Sequence, residues 1–265
     1  MSANKESVGK TLLVAFLVCV VCGVVVATAA VSLRPVQSKN QLLDKRMNIL
    51  QAAGLYQPGV DVNTVFKSIE RRFVDIDTGE YVEMPESYDQ RKAAKDPQRS
   101  ERLSGKEDIA GIKSQANVAE VFLARGDDGD LSRIILPVHG YGLWSTLYGF
   151  LALEPDANTV SGLGFYEHGE TPGLGGEVDN PKWKALWEGK KLYGEQGEVE
   201  IQVVKGAVDS KTPNAEHKVD GLAGATLTSN GVSNLLRFWV GENGFGPYLK
   251  RMQQGEAIEQ QEGDA

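Results

Sequence analysis

The sequence predicts an α+β protein in which a single N-terminal transmembrane helix precedes a mixed, mainly antiparallel domain. Three observations support this prediction. Thr11–Leu33 contains no charged residue over 23 positions. Short apolar runs separated by turn sequences fill much of the second half of the chain, and such runs are typical of hairpins. Apolar residues then recur at helical spacing over 232–240, and no regular alternation of strands and helices appears.

Charge is distributed unevenly along the 265 residues, whose net charge is −8. Residues 1–50 hold six Lys/Arg and two Asp/Glu, a net +4, and the rest of the chain holds 22 and 34, a net −12. A basic segment around an apolar one, followed by an acidic body, indicates a membrane anchor joined to a soluble domain. The acidic body also argues against nucleic-acid binding, which needs a basic surface.

The apolar segment Thr11–Leu33 is long enough to cross a bilayer, since about 20 apolar residues in a helix span the hydrocarbon core. The alternative is a cleaved signal peptide, with Lys5 and Lys10 as its basic region and Ala27–Ala29 as its cleavage site. The retained anchor is favoured because the run is too long for a signal peptide and continues past that site. Cys19 and Cys22 lie inside the span, where they are interpreted as small packing residues.

The predicted regions are a short tail over 1–10, the transmembrane helix over 11–33, a juxtamembrane and charged region over 34–114, the main domain over 115–250 and an acidic tail over 251–265, expected to be disordered. Within the second region, 41–53 predicts an amphipathic helix that breaks from the anchor near Pro35 and stops at Gly54. Residues 64–74 predict a shorter helix or a strand, and the charged 85–108 predicts a surface excursion that is mobile.

The main domain is expected to begin with two hairpins. Strands over 117–124 and 131–138 flank a turn at 125–130, and strands over 147–153 and 160–166 flank a turn at 154–159. A short helix over 181–187 and a strand over 199–207 follow. The last predicted element is a helix through 232–240, with Thr228 or Ser229 as its N-cap.

The loop before that helix, Asp220–Thr228, is suited to carrying a phosphate. Helix N-termini present unpaired N–H groups and the positive end of the helix dipole, both of which favour an anion. Small residues such as Gly224 and Ala225 leave room for a bulky group to approach the backbone. A hydroxyl at Thr226 could be a helix cap, but Thr228 and Ser229 already supply one in this interpretation.

The residues Asp220 to Thr226 closely resemble the flavinylation motif of the FMN-binding domain family, Asp-x-x-Ser/Thr-Gly-Ala-Thr. The resemblance implies that Thr226 carries FMN through a phosphoester installed by a dedicated flavin transferase. It implies that Asp220, Gly224 and Ala225 belong to the motif that the transferase recognises. Ala223 departs from the pattern, because the family has Ser or Thr at that position.

Two further glycine-rich stretches are notable, 168–176 and 140–149. On residues alone, 168–176 is a turn-rich loop without the lysine and the strand–turn–helix setting of a phosphate-binding fold. The aromatic residues and glycines of 140–149 could be ordinary packing at a strand edge. His168 and Glu170 could form an acid–base pair, but a solvated surface pair is the preferred interpretation. His139 and His217 have no companions at metal-ligand spacing, so they are expected to be structural or surface residues and no metal site is predicted.

Both stretches also resemble segments of the FMN-binding domain family. The resemblance implies that the loop at 168–176 covers the cofactor and that the loop at 140–149 lines the flavin ring. The residues implied to contact the cofactor are Leu143, Trp144, Thr146, Thr171, Leu174, Gly175, Leu227 and Thr228.

Within that family, the anchor, the charged insertion and the sequence Gly140–Ser145 resemble the C subunits of sodium-translocating NADH:quinone oxidoreductases. The resemblance implies a one-electron carrier that takes electrons from a membrane-embedded iron centre in partner subunits. The carrier would pass them toward ubiquinone through a neighbouring flavin subunit, with sodium export coupled to the route. It also implies a bacterial inner-membrane protein whose flavin domain is periplasmic. Charge counting alone predicts the opposite orientation, since four basic residues follow the span and two precede it.

Three alternatives remain open at this level. The chain could be a G subunit of the related Rnf complex, which shares the anchor and the motif. It could be a membrane-anchored binding protein without flavin, because of Ala223. It could also be a free-standing flavin reductase, for which Glu170 with His168 would be the proton donor.

Overall fold

The computed structural model describes residues 7–56, 58–126 and 128–255 and divides the chain into two compact units, 1–45 and 46–265. The basic residue Lys5 of the predicted tail and most of the predicted acidic tail lie outside the described residues. The first unit contains most of helix α1 (Val8–Ala52), including the predicted span, and the last residues of α1 belong to the second unit. Helix α1 has an 18-residue window of mean hydropathy 2.9. This is the one described helix that is long and apolar enough to cross a membrane.

Helix α1 continues through Pro35, so the predicted break there is wrong. Proline removes one N–H and one i to i−4 hydrogen bond, but the turns on either side keep theirs. The predicted stop is confirmed: Gly54 has φ of 70°, and the N–H of Leu55 returns to the carbonyl of Leu50 at 2.8 Å. A left-handed residue after the last turn, with such a returning bond, ends a helix.

The second unit is built on a five-stranded antiparallel sheet, in which the strands are hydrogen-bonded to one another in chain order. Its strands are β1 (Ile69–Asp75), β4 (Val118–Arg125), β5 (Leu131–Tyr141), β6 (Thr146–Leu153) and β7 (Val160–Glu167). Both predicted hairpins and the predicted fold class are confirmed. The segment at 64–74 is mixed, since helix α2 (Val62–Val65) and a 3-10 turn precede β1.

Both faces of this sheet are covered, which explains the nearly continuous apolar runs of its strands. On one face Ile134, Leu136 and Leu151 join the main core, which includes the last long helix, α5 (Thr226–Trp239). On the other face Ile135, Phe122 and Phe150 pack with Ile49 and Leu50 at the end of α1. The predicted helix through 232–240 is therefore confirmed, although it begins six residues earlier than its apolar pattern.

The charged segment at 85–108 is ordered, so the prediction of a mobile excursion is wrong. It contains α3 (Gln90–Ala93) and β2 (Ser100–Arg102), and β2 pairs with β3 (Ser114–Ala116). Tyr88 and Ala93 pack with Phe73 in a small third cluster. A few well-placed apolar residues are thus enough to hold a polar segment against the sheet.

The remaining elements differ from the prediction in two places. After α4 (Pro181–Lys184), which confirms the short predicted helix, only Gln202–Val203 (β8) forms a strand within 199–207. It pairs in parallel with β9 (Lys218–Val219). An unpredicted helix α6, Gly246–Gln253, follows α5 and buries Tyr248, Leu249 and Met252.

His139 of β5 lies between aromatic rings inside the second unit. Its ring stacks on Tyr148 at 5.3 Å and lies 5.0 Å from Trp239, and the Trp239 indole N–H donates to the His139 carbonyl at 2.6 Å. Burial, and secondarily the positive charge of Arg91, lowers the pKa of His139 to about 4. The ring is therefore neutral in the folded protein near neutral pH.

We expect this histidine to make stability fall in mild acid. The pKa of His139 in the folded protein lies below its unfolded value of 6.5. The contribution of the neutral ring to the free energy of unfolding is therefore fully present above pH 6.5 and is lost as the pH falls toward 4. The full loss is on the order of 3 kcal/mol. Urea unfolding at neutral pH and at about pH 4.5 measures it, with His139→Phe as the non-titrating comparison. A His139→Phe chain that loses as much stability in acid as the wild type contradicts the prediction.

Candidate functional site

Three loop segments meet at the N-terminal end of α5. They are the turn at 142–145 between β5 and β6, the loop at 168–176 after β7 and the motif loop at 220–225 before α5. Gly231 brings α5 against the first of them, since a Cβ added there would lie 2.6 Å from the Tyr141 carbonyl oxygen. Leu174 of the second lies over Gly224 of the third, with its Cδ2 3.0 Å from the Cβ position of that glycine.

Helix α5 begins at Thr226, and its N-cap residue is Ala225, which offers no side-chain hydrogen bond. The prediction that Thr228 or Ser229 caps the helix is wrong, because both lie inside the first turn and are buried. Ser229 Oγ accepts the N–H of Leu222 at 3.1 Å and so holds the motif loop. The first N–H groups of a helix have no intrahelical acceptor. This helix end therefore remains open to an anion.

Thr226 is the first residue of α5 and is exposed. Among the residues that the structure describes, its hydroxyl has no hydrogen-bond partner. A capping threonine would instead turn its oxygen onto the N–H groups of the first turn. The Thr226 oxygen is therefore available to another molecule, beside the positive end of the helix dipole.

Four large apolar side chains at this end of α5 are exposed to solvent. Trp144 is 66% exposed, Leu227 59%, Leu174 45% and Leu143 36%. Large apolar residues that cluster on a surface commonly mark a binding site. The sequence predicted all four as cofactor contacts, and the structure brings them to the same end of α5.

The other residues that were predicted to contact the cofactor differ in their burial. Thr171 is exposed in the same loop as Leu174, and Thr146 is half-buried at the start of β6. Gly175 and Thr228 are buried beneath them. A Cβ on Gly175 would lie 2.5 Å from the Thr228 hydroxyl, so this glycine allows the loop to lie against α5.

Glu170 is 5% exposed, so its interpretation as half of a surface pair is wrong. Its Oε1 accepts the N–H groups of Leu143 at 3.0 Å and Trp144 at 2.9 Å, with Ser145 at 3.3 Å, and its Oε2 accepts the Thr228 hydroxyl at 2.7 Å. Burial alone would raise the pKa of Glu170, but these hydrogen bonds together lower it below its usual value. A sequence pattern cannot reveal this carboxylate, because its partners lie 25 or more positions away.

His168 does not share a proton with the Glu170 carboxylate. Its Nε2 lies 2.8 Å from Asp179 Oδ2, and its Nδ1 accepts the backbone N–H of Glu170 at 3.2 Å. The loop at 168–176 is also held just before its first residue, where Arg91 of α3 forms a bidentate ion pair with Glu167 at 2.7 and 3.1 Å. These contacts fix the shape of the loop and do not build an acid–base pair.

Asp220 holds the motif loop from within. Its Oδ1 accepts the N–H of Val208 at 2.8 Å, and its carbonyl accepts the Trp183 indole N–H at 2.8 Å. Together with Lys205, Ala223 and Thr226 it lines a pocket of about 450 Å³ beside the start of α5. The carboxylate thus holds the shape of the loop that presents Thr226.

A family model described as the FMN-binding domain matches residues 142–241, which contain all three segments of the site. The chain is 56% identical over 261 residues to the C subunit of the Na(+)-translocating NADH-quinone reductase of Pseudomonas aeruginosa, over 96% of this chain and 100% of that protein. It is 50% identical to the protein of the same name from Yersinia pestis, over 95% of this chain and 96% of that one.

Two crystal structures share the fold. Shewanella oneidensis NqrC matches with a TM-score of 0.74 and 38% identity, over 80% of this chain and 98% of that chain. The C subunit of the Na(+)-translocating NADH-quinone reductase from Parabacteroides distasonis matches with a TM-score of 0.64 and 31% identity, over 82% and 96%. These identities cover nearly the whole of each related protein.

Proposed function

The chain belongs to the family of the C subunits of Na(+)-translocating NADH-quinone reductases, and from this premise we propose that Thr226 binds FMN covalently through a phosphoester. As a member of that family it is one subunit of an oxidoreductase complex and contains an FMN-binding domain. The predicted resemblance to the C subunits is thereby confirmed. The exposed Thr226 hydroxyl at an uncapped helix end supports the phosphoester.

The residues around Thr226 fit a flavin phosphate and its ring. A phosphodiester on the Thr226 oxygen would keep one negative charge, which the end of α5 would stabilise by about 0.3–1 kcal/mol. Leu143, Trp144, Leu174 and Leu227 offer the exposed apolar surface that a flat ring can cover. A covalent bond would retain the cofactor at so open a site. The role of Asp220 is to shape the motif loop for the flavin transferase.

The chain supplies position and electrostatics for the cofactor. FMN, when bound, exchanges electrons with donors and acceptors by its own chemistry. The open surface around Thr226 gives partner subunits an approach to it, so we assign the domain to relay electrons between them toward quinone. The buried carboxylate of Glu170 accepts hydrogen bonds and offers no proton, which disfavours a free-standing reductase.

The proposed setting is the bacterial inner membrane, with α1 as a single-pass anchor. We place the domain on the periplasmic side, where the flavin transferase would act on Thr226. The basic residues after the span favour the other side, but large domains cross membranes with little regard to nearby charge.

The relay is tested in the assembled complex. A complex that contains Thr226→Ala is expected to lose NADH-driven ubiquinone reduction to background, because the electrons have no carrier at this position. Co-purification of the other subunits verifies assembly, and Thr226→Ser, which keeps the hydroxyl, is the matched control. Quinone reduction at the wild-type rate by the Thr226→Ala complex contradicts the relay.

A further inference from the structure

We propose that Glu170 is a positioning residue of the flavin site, whose buried carboxylate holds the ring-lining turn against the helix that bears the attachment threonine and places a fixed negative charge beneath the flavin. The proposal rests on the proposed function, since it concerns the same cofactor. It assigns a role to a residue outside the flavinylation motif and outside the predicted set of contacts.

The carboxylate joins the loop at 168–176 to the turn at 142–145 and to helix α5. Glu170 itself belongs to the loop at 168–176. Its Oε1 is 3.0 Å from the Leu143 nitrogen and 2.9 Å from the Trp144 nitrogen, in the turn whose side chains line the exposed apolar surface. Its Oε2 is 2.7 Å from the hydroxyl of Thr228, two residues after the attachment site. Moving this one group would break the hydrogen-bonded link between the turn and the helix.

Two glycines lie against the carboxylate, one in the turn at 142–145 and one in the same loop as Glu170. A Cβ on Gly142 would lie 2.6 Å from Oε1, and a Cβ on Gly175 would lie 2.6 Å from Oε2. Contacts this short would force the carboxylate out of its place. Glycine at both positions is therefore explained by the space that the carboxylate needs.

The charge of Glu170 is held by neutral donors. Its described partners are three backbone N–H groups and one hydroxyl, and within the described part of the chain it forms no ion pair. Because these hydrogen bonds lower the pKa of Glu170, the group stays ionised at neutral pH. A buried charge acts over a longer range than an exposed one, since solvent screens it less. It would therefore disfavour the addition of negative charge to a flavin lying above it.

Substitutions can separate the positioning role from the charge. Glu170→Gln keeps an oxygen for the turn and removes the charge. Thr228→Val keeps the charge of Glu170 and the shape of the threonine side chain but removes the hydrogen bond between Glu170 and α5. Glu177→Gln is the matched control, because it removes the same charge just beyond the same loop, where Glu177 Oε2 accepts the side-chain amide of Asn180 at 2.7 Å. The full chain, flavinylated in a cell with the transferase, is used throughout.

The measurements are the flavin midpoint potential and the visible circular dichroism of the flavin. At a fixed potential we expect Glu170→Gln to raise the ratio of reduced to oxidised flavin on the order of tenfold, which corresponds to about 59 mV for a one-electron couple. Thr228→Val is expected to lose most of the visible circular dichroism with a smaller change in potential. Glu177→Gln is expected to resemble the wild type in both.

Intact mass, measured first, separates the proposed function from the role of Glu170. A wild-type chain without FMN would contradict the proposed function and this proposal with it. A flavinylated set in which Glu170→Gln leaves the potential unchanged and Thr228→Val leaves the circular dichroism unchanged would overturn the role of Glu170 alone.

Discussion

Thr226→Ala is expected to give a folded chain that carries no covalent flavin. The threonine is exposed at the first position of α5, and none of the described residues hydrogen-bonds its hydroxyl. Its removal should therefore change the free energy of unfolding by no more than about 0.5 kcal/mol, as for other surface substitutions. The phosphoester, however, needs an oxygen at this atom, so attachment should be lost completely.

Flavin fluorescence that co-migrates with the chain on a denaturing gel measures this loss. Thr226→Ser retains a hydroxyl at the same place and is expected to keep the fluorescence, while the circular dichroism of the backbone checks the fold of both variants. Covalent fluorescence in Thr226→Ala would show that another residue is the acceptor. That result would contradict the proposal that Thr226 is the attachment residue.

Gly231→Ala is expected to destabilise the protein, although alanine favours helices. In an open helix interior the change would add about 1 kcal/mol of stability. Here the new Cβ would lie 2.6 Å from the Tyr141 carbonyl oxygen and 3.0 Å from Gly142 Cα, and both are backbone atoms that cannot rotate away. Overpacking of this kind costs about 1–3 kcal/mol, so we expect a net loss of up to about 2 kcal/mol.

The same variant should disturb the flavin site, because α5 would move away from the turn that carries Leu143 and Trp144. Urea denaturation gives the stability, and the visible circular dichroism of the flavin gives the order of the site. Gly164→Ala in β7 is the matched control, since no atom of the described residues, apart from its chain neighbours, lies within 4 Å of its Cβ position. A Gly231→Ala protein at least as stable as the wild type would mean that the helix does not rest on this turn.

Sequence patterns over a few neighbouring residues correctly predicted the two hairpins and the end of α1. The hairpins β4–β5 and β6–β7 follow from apolar runs separated by turns, and the end of α1 follows from Gly54. Pro35 misled because proline predicts a break, whereas a long helix can pass through one missing hydrogen bond. The strand expected over 199–207 failed because an alternating pattern does not supply a pairing partner, and only two residues find one.

The candidate site shows the same limit. A motif marked Thr226, and neighbouring glycines marked the other two segments, so the residues of the exposed surface could be predicted from short stretches. The cap of α5 and the burial of Glu170 could not. Thr228 looks like a cap in sequence, but its hydroxyl bonds a carboxylate 58 positions earlier. Contacts across such separations are set by the packing of whole elements and leave no local signal.

Site-resolved mass spectrometry of the wild-type protein determines whether this chain bears FMN on Thr226. The chain is produced with and without the flavin transferase, weighed intact and then fragmented. We expect the mass to increase by one FMN less one water only when the transferase is present, and we expect the fragments to place this addition on Thr226. An unmodified chain in the presence of a transferase that modifies a known substrate, or a flavin located on another residue, would contradict it.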